Sequence, residues 1–407
     1  MSLQNQARLS VSDLPFLDVT APGFTWAGPA VAAAREECWA ARTPIGLMVL
    51  RYADVVELLT DPRFVPDMTR LVRRAGAGDG HLHDASTLML QSRDRPGHRR
   101  VRSGLVNRQF SASRVATVRP FLQAMVQGLV DDLAVAGMCD FVEDFADPLA
   151  VSVICHLLAI PAEDYDRVSR WSKDSTLIFA LDYDPGLLDV VARSLAGLTD
   201  YAAALIRDRV ADPGADDVLS HLLRARDGGG LDDGELRTLV VQLLAAGYNT
   251  AHQLSHAMVA FARHPEQWAL LRDRPELLEQ AVYEVLRWCP TVEVIGAPRT
   301  VTDDLVHEGV LLPRGTSVYL GVHSAHRDAR VFPDGDTFDI TRASGPQLLV
   351  FGGGPHHCPG ALLGRSEIAE ALAGLTARLE HPRIAGPITW RPPIGDTGPH
   401  TLPLRFG

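Results

Sequence analysis

The most regular hydrophobic pattern in the chain starts at Asp232 and predicts one long, buried helix. Apolar or small residues recur there at helical spacing, at Leu236, Leu239, Val240, Leu243, Leu244, Gly247, Ala251 and Leu254. The stretch from Leu239 to Ala246 is apolar almost all round, with Gln242 as its one polar member. Asp232 can cap the helix while Glu235, three residues on, reaches back to complete a capping box. A helix that is hydrophobic on every side lies inside the protein.

Patterns elsewhere predict a mainly α chain with a minor β portion. Predicted helices cover Pro29 to Arg42, Ala53 to Leu59, most of residues 97–260, Pro275 to the residue before Pro290, and Ala361 to Leu379. Predicted strands cover Ile45 to Arg51, Ala297 to Val301, Leu305 to Leu312 and Ser317 to Leu320, with irregular stretches over Arg70 to Gln91 and Asp328 to Val350. Because no repeat or linker divides the chain, we expect residues 1–407 to form a single domain, with an extended N-terminal segment over residues 1–27.

Composition narrows the class of protein without assigning a function. The 407 residues include 39 basic and 50 acidic side chains, for a net charge of −11, and 46% are hydrophobic. This excludes fibrous and disordered classes, and the acidic balance disfavours nucleic acid as a partner. Five scattered cysteines without a CxxC pair indicate a reducing compartment, and no run of 18 apolar residues is present. We therefore expect a soluble, cytoplasmic monomer that does not bind membranes.

The segment Phe351-Gly-Gly-Gly-Pro-His-His-Cys-Pro-Gly360 contains the most informative chemistry. Its glycines permit backbone conformations closed to other residues and the close approach of a flat ligand. Cys358 stands just before a predicted helix, whose N–H groups and positive end favour a thiolate. His356 and His357 alone cannot complete a tetrahedral zinc site. From the residues alone, a nucleophilic cysteine and a glycine-rich turn with a buried cysteine both remain open.

This segment resembles the signature of the cytochrome P450 family of haem-thiolate enzymes, F-G-x-G-x-H-x-C-x-G. The match falls at Phe351, Gly352, Gly354, His356, Cys358 and Gly360. The resemblance implies the triangular, largely helical P450 fold, with haem b as cofactor and Cys358 as the axial ligand of its iron. It also implies that the other matching residues of the segment contact the haem. A proximal thiolate donates electron density to the iron and favours O–O cleavage.

Glu284 and Arg287, three residues apart, taken alone form an ordinary surface pair on a helix. They match the family's E-x-x-R motif, which implies a buried network with Arg342 that holds the cysteine loop in place.

His98 and Arg102, four residues apart, share one helical face and suit a ligand with two carboxylates. Without the resemblance, His98 is interpreted as a histidine at the start of a helix rather than as a ligand-binding residue. The resemblance assigns His98, Arg102, Arg299 and His356 to the haem propionates.

Inside the predicted buried helix, Ala245-Ala-Gly-Tyr-Asn-Thr-Ala251 contains residues that are poor helix formers. This segment resembles the family's oxygen-binding motif, small-Gly-x-acid-Thr, through Ala246, Gly247 and Thr250. Thr250 is therefore expected to hydrogen-bond O2 and to help deliver protons. The acid position holds Asn249, which orders water but cannot ionise. Water or substrate then supplies the protons, the reaction is an oxidative coupling, or proton delivery is slower; the sequence does not rank these three readings.

Between Arg93 and Arg114 the chain is basic, with seven arginines and one acidic residue. In an acidic protein such a face indicates docking of a negatively charged partner, although a solvated, arginine-rich helix gives the same pattern. The resemblance implies that the partner is a ferredoxin, supplied with electrons from NAD(P)H by a ferredoxin reductase.

As a whole, the resemblance implies monooxygenation of a medium-sized small-molecule substrate with O2, in natural-product biosynthesis. The alternatives are oxidative coupling or ring formation without oxygen insertion, a peroxide-driven haem enzyme, a haem-binding sensor or carrier, and a thiol hydrolase. The predicted pocket segments are residues 82–90, 176–180, 243–247, 292–295 and 394–397. They contain the predicted substrate-facing residues Leu243, Val292, Glu293, Val294, Ile295 and Ile394, with Glu293 and Asp396 as polar anchors.

Overall fold

Helices form most of the structure, a computed structural model that describes residues 9–74, 89–92, 95–102, 106–179, 185–212, 217–391 and 397–406. The helices are α1 (Pro29–Glu37), α2 (Tyr52–Thr60), α3 (Met68–Arg74), α4 (Arg95–Val101), α5 (Asn107–Gln109), α6 (Ala112–Ala136), α7 (Asp147–Leu157), α8 (Tyr165–Ser175), α9 (Pro185–Ala211), α10 (Val218–Asp227), α11 (Asp233–Gly247), α12 (Asn249–Arg263), α13 (Pro265–Asp273), α14 (Leu278–Trp288), α15 (Val322–Ala325) and α16 (Ala361–Arg378). The strands are β1 (Leu9–Ser10), β2 (Ala40–Thr43), β3 (Gly46–Val49), β4 (Phe64–Pro66), β5 (Met138–Asp140), β6 (Arg299–Val301), β7 (Leu305–His307), β8 (Val310–Leu312), β9 (Ser317–Leu320), β10 (Pro382–Ile384), β11 (Thr389–Trp390), β12 (Pro399–Thr401) and β13 (Pro403–Phe406). The mainly helical character predicted from the sequence is confirmed.

The buried helix starts where the sequence predicts. Asp232 accepts a hydrogen bond from the Glu235 N–H at 2.7 Å, and Glu235 accepts one from the Asp232 N–H at 3.0 Å. This is the predicted capping box. Helix α11 then packs against α7, α8, α9 and α10, which cover its apolar sides.

The same helix breaks at Tyr248, which the sequence pattern does not predict. Helix α11 ends one residue earlier, and α12 starts one residue later. The Tyr248 hydroxyl donates to Asp147 Oδ1 at the start of α7, and Lys173 Nζ of α8 lies 2.9 Å from Asp147 Oδ2. The break is therefore held by side chains that are far away in the sequence.

The largest sheet has five strands in the order β2-β3-β9-β6-β4, with β3 and β9 parallel. The helix predicted over Pro29 to Arg42 is wrong beyond Glu37, because Ala40–Thr43 pairs with Gly46–Val49 as β2. Smaller sheets have the orders β1-β8-β7, β10-β13-β5 and β11-β12.

Two other stretches differ from the sequence-based expectation. In the N-terminal segment, expected to be extended, residues 1–8 lie outside the described residues, and β1 is followed by a 3-10 turn over Val11–Asp13. The stretch expected to be irregular from Arg70 already belongs to α3 up to Arg74, and residues 75–88 lie outside the described residues.

A buried ion pair on α14 ties down the irregular stretch before the cysteine loop. Glu284 and Arg287 have no exposed side-chain surface and meet in two hydrogen bonds of 2.7 Å each. Arg342 Nε lies 3.2 Å from Glu284 Oε2. Arg287 also donates to the carbonyl groups of His326, Gly335 and Thr337. Because both partners are fully hydrogen-bonded, the buried charges do not remain unpaired.

His326 connects this network to the cysteine loop. Its Nδ1 lies 3.1 Å from the Arg287 carbonyl oxygen, and its Nε2 accepts the Leu349 N–H at 2.8 Å. Because a backbone N–H can only donate, the imidazole is neutral with its proton on Nδ1. Burial, followed by the charge of Arg287, lowers the pKa of His326 to about 3. Leu349 begins the turn that ends at Phe351, seven residues before Cys358.

We predict that His326→Asn lowers the free energy of unfolding at pH 7 by about 1–3 kcal/mol, because the shorter side chain cannot reach both backbone groups. The pKa of His326 is about 3 in the folded state and about 6.5 in the unfolded chain. The stabilisation by His326 is therefore complete above pH 6.5 and is lost as the pH falls towards 3. The difference between wild type and variant should shrink from pH 7 to pH 5.

Denaturant unfolding at the two pH values measures both effects, with His400→Asn as the control because His400 is exposed. A His326 variant as stable as the wild type at pH 7, or a difference that does not change with pH, would contradict the prediction.

Candidate active site

Cys358 is half-buried in the loop that precedes α16. Its N–H donates to the Phe351 carbonyl at 2.7 Å, which closes the loop on itself. Gly352 and Gly354 have φ angles of +67° and +59°, which other residues rarely adopt. A Cβ on Gly354 would lie 3.0 Å from Thr60 at the end of α2. The glycines therefore set the turn and its close packing on α2.

Two adjoining cavities of about 290 Å³ each share Cys358 as part of their walls. Ala246 lies one residue before the end of α11 and is exposed although the helix is buried, because it faces both cavities. Leucine, isoleucine, valine and phenylalanine are the commonest residue types among the lining residues. The interior can therefore hold a large, mostly apolar ligand next to the cysteine.

The structure brings most of the predicted site residues to these cavities. The first is lined by Cys358, Thr250, Asn249, Gly247, Ala246, His98, Arg102, His356, Phe351, Gly360, Leu243 and Val292. The second adds Arg299, Gly352 and Ile295. Gly354 lines neither cavity and acts through the shape of the loop.

Two predicted pocket residues lie elsewhere. Val294 packs in a separate core cluster with Met48 and Leu50. Glu293 lines neither cavity, and its carbonyl accepts the His323 N–H. Burial raises the pKa of Glu293 to about 8. Val292 and Ile295 line the cavities, whereas the two residues between them, Glu293 and Val294, do not. Ile394, Asp396, Ala180 and residues 82–88 lie outside the described residues.

Buried cationic side chains stand at the edges of the cavities. Arg299 is only 3% exposed, burial lowers its pKa to about 10, and its Nε has no hydrogen-bond partner among the described residues. Arg102 donates to Asn107 Oδ1 at 2.9 Å, and burial lowers its pKa while the nearby Cys358 opposes that shift. The rings of His98 and His356 lie 4.1 Å apart. An unpaired buried guanidinium is costly, so this arrangement fits an anionic ligand with carboxylates.

A carboxyl group that sequence reasoning missed contacts Thr250. Glu367 of α16 is buried, which raises its pKa to about 8, and its side chain faces the Thr250 hydroxyl, whose interaction with the carboxyl opposes that rise. A Cβ on Gly364, one turn earlier, would lie 3.8 Å from Thr250 Oγ1, so the two helices are close here. Its position in the sequence gave a signal: Glu367 interrupts the buried apolar stripe of Leu363 and Ala371 on α16.

Asn249 and Gly247 differ in what surrounds them. Asn249 Oδ1 is buried and has no hydrogen-bond partner in the part of the chain that the structure describes, so it can accept from a ligand or water in the cavity. A Cβ on Gly247 would lie 2.8 Å from Ile154 Cβ. The expectation that this glycine admits a ligand is therefore incomplete, since the packing of α7 on α11 also requires it.

The described ranges contain neither a metal-binding cluster nor a membrane-spanning helix. No group of three or more histidine, cysteine or acidic side chains is placed to hold a metal ion among those residues. No helix described in the structure is long and apolar enough to cross a membrane.

Comparison with known proteins agrees with this geometry. The family model described as Cytochrome P450 matches residues 168–381. Luteothin monooxygenase from Streptomyces thioluteus is 47% identical over 408 residues, covering 100% of both chains. Nocardicin C N-oxygenase from Nocardia uniformis subsp. tsuyamanensis is 36% identical over 376 residues, covering 91% of this chain and 90% of that protein. The structure of the P450 enzyme CxnD, for C-S bond formation in chuangxinmycin biosynthesis, matches with a TM-score of 0.81 and 32% identity, covering 92% of this chain and 93% of that chain.

The identity to whole relatives, the family match and the shared fold all lead to one assignment. The chain belongs to the cytochrome P450 family and is a P450 monooxygenase, of the kind that binds haem through a cysteine thiolate and uses O2.

Proposed function

We propose that Cys358 is the axial ligand of haem b and that the enzyme oxidises a medium-sized organic molecule in natural-product biosynthesis. The observation that carries this proposal is the position of Cys358 at cavities bordered by buried cations. Arg299, with its unpartnered Nε, fits one propionate, and Arg102 with the histidine pair His98 and His356 fits the other. Haem bound there supplies two-electron activation of O2, by which an oxygen atom is inserted into the substrate or a hydrogen atom is removed.

The assignment of the ligand is tested by Cys358→Ser, with Cys289→Ser as the matched control. Cys289 is buried, lines neither cavity and donates to the Val285 carbonyl, a bond that serine can replace. Each protein is loaded with haem, reduced and mixed with carbon monoxide. The wild type and Cys289→Ser should then give the spectrum of a thiolate complex, whereas Cys358→Ser should not. A thiolate spectrum retained by Cys358→Ser would refute the assignment.

Glu367 and Thr250 offer a proton route that does not need an acid at position 249. With a pKa of about 8, the Glu367 carboxyl holds a proton at neutral pH. It can pass that proton to Thr250 Oγ1 while the threonine hydroxyl releases its own proton into the cavity. Asn249 cannot ionise, and its free Oδ1 can order a water molecule beside Thr250. Of the three interpretations of Asn249 given by the sequence, this supports the one in which water or substrate supplies the protons, with water as the source.

We predict that Thr250→Ala and Glu367→Gln raise the ratio of hydrogen peroxide released to NADPH consumed by about tenfold or more, because proton delivery is impaired. In the wild type, the proton held by Glu367 is lost as the pH rises through about 8, so the ratio should rise above that pH.

Glu367→Gln should show no such rise, since glutamine does not titrate in this range. Glu370→Gln is the control, because Glu370 on the same helix contacts Arg119 and Gln123 instead. A Glu367→Gln enzyme with the wild-type ratio and pH profile would exclude the proton route.

A depression of about 640 Å³ beside Cys358 supports docking of an acidic electron donor. Its lining includes Arg102 and Arg365, and no carboxylate from the described residues. The basic stretch between Arg93 and Arg114 contributes less than its sequence suggests. Arg100 pairs with Glu235 and Arg102 is buried, which leaves Arg99 and Arg108 as exposed members whose side chains the structure describes. We infer that a ferredoxin, reduced by NAD(P)H and its reductase, docks at this depression.

We predict that Arg365→Glu slows reduction of the haem by a [2Fe–2S] ferredoxin about tenfold at low salt, because it reverses a docking charge. Formation of the carbon monoxide complex measures this rate, which should also fall in the wild type as salt rises. Arg378→Glu, about 20 Å along the same helix, is the control.

If Arg365→Glu is reduced at the same rate as the wild type, ferredoxin does not dock at this depression. Turnover with hydrogen peroxide alone, at the rate reached with the donor pair, would instead favour the peroxide-driven alternative.

Two candidate reactions remain for the substrate. Oxygen insertion is supported by the names of two relatives, luteothin monooxygenase and nocardicin C N-oxygenase. Oxidative coupling is favoured by Asn249 in the acid position and by the similarity to CxnD, which serves C-S bond formation. Incorporation of labelled oxygen from O2 into the product separates the two reactions.

A further inference from the structure

Two glutamines that line both cavities form a polar contact with each other. Gln242 is the one polar residue in the apolar run of α11, and Gln91 lies in the short described segment 89–92. Both side chains are half-buried and line both cavities. Neither glutamine has a role in haem binding or proton delivery as described above.

The hydrogen bonds fix which way each amide points. The Leu90 N–H, which can only donate, lies 3.1 Å from Gln242 Oε1. The Gln242 amide nitrogen must then point the other way, where it donates to Gln91 Oε1. With its oxygen used, Gln91 has its NH2 group left as a donor. The backbone N–H thus fixes the orientation of both amides, whose oxygen and nitrogen ends have nearly the same shape.

The Gln91 NH2 group has no oxygen or nitrogen acceptor among the described residues. Its one recorded contact is Met89 Sδ at 3.9 Å, a weak acceptor at long range. A half-buried amide donor without a protein acceptor is unfavourable, so a ligand that accepts from it gains affinity.

The walls around this donor define the chemistry of the ligand. Leu90, Leu239, Leu243, Val241, Val292 and Ile178 line the same space and offer apolar contact. The cationic lining residues are the four already given to the propionates, so no cation remains for a substrate carboxylate among the lining residues. The donor therefore suits a neutral acceptor on an apolar skeleton.

We propose that Gln91, oriented by Gln242, binds a carbonyl-type oxygen of a neutral, largely apolar substrate and so helps to select it. The proposal rests on the proposed function, since it places the substrate beside the haem site. Gln91 touches the substrate, whereas Gln242 is a positioning residue that acts through Gln91.

Two probes of equal skeleton test this: hexanophenone, a ketone, and hexylbenzene, which lacks the oxygen. Their dissociation constants for the haem-loaded enzyme are measured by calorimetry. The wild type should bind the ketone about five- to tenfold more tightly, the value of one neutral hydrogen bond. Gln91→Leu should lose this preference and keep its affinity for hexylbenzene. Gln91→Glu, which offers only acceptors at neutral pH, should also lose it.

Gln242→Leu should reduce the ketone preference, and the double variant should be no worse than Gln91→Leu, because the two residues act as one unit. Gln253→Leu is the control. Gln253 lines the first cavity, but its amide is satisfied by the Cys289 carbonyl and the Thr291 N–H, so the preference should be unchanged.

A wild type that fails to bind the ketone or binds both probes equally, or a Gln91→Leu that keeps the preference, overturns the proposal. A preference lost in Gln91→Leu but fully kept in Gln242→Leu overturns the positioning role. The carbon monoxide spectrum of each variant separates these outcomes from failure of the proposed function, because it reports the haem ligand whatever the probe does.

Discussion

The ion pair between Glu284 and Arg287 is the interaction on which the position of the cysteine loop depends. Both side chains are fully buried, and their charges are compensated by each other, by Arg342 and by carbonyl groups of the irregular stretch. Such a network contributes more to a unique arrangement than to net stability, since desolvation of the charges is costly. Through His326 it fixes the backbone at Leu349, and the loop then leads directly to the cysteine.

Local sequence signals predicted the parts of the fold whose causes are local. The capping box at Asp232 and the glycine-rich loop depend on residues within ten positions of each other, and both are formed. Strand β2 was missed because its alanines favour a helix, and only pairing with β3 overrides that preference. The break at Tyr248 was missed because its cause, Asp147, lies about a hundred residues away.

In the candidate site, too, features with local causes were predicted and features with distant causes were missed. The cysteine motif predicted which residues surround the cavities, and most of them do line the walls. The polar partners that complete the site come from separate elements. Glu367 reaches Thr250 from α16, and Gln91 reaches Gln242 across 151 positions of the chain. A single sequence contains no pattern that joins such distant residues, so only their unusual polarity within apolar stripes gave a hint.

Lys173 contacts Asp147 at the helix break, and this limits how the protein can be chemically labelled. It is the one lysine in the chain, its side chain is 22% exposed, and it lies 2.9 Å from the carboxylate that also receives the Tyr248 hydroxyl. Reagents that acylate side-chain amines therefore have a single target, and reaction there removes the positive charge beside Asp147. Dyes, cross-linkers or solid supports attached through lysine would perturb the helix break at Tyr248, beside Gly247 and Asn249, so attachment through carboxyl groups or a tag suits this enzyme better.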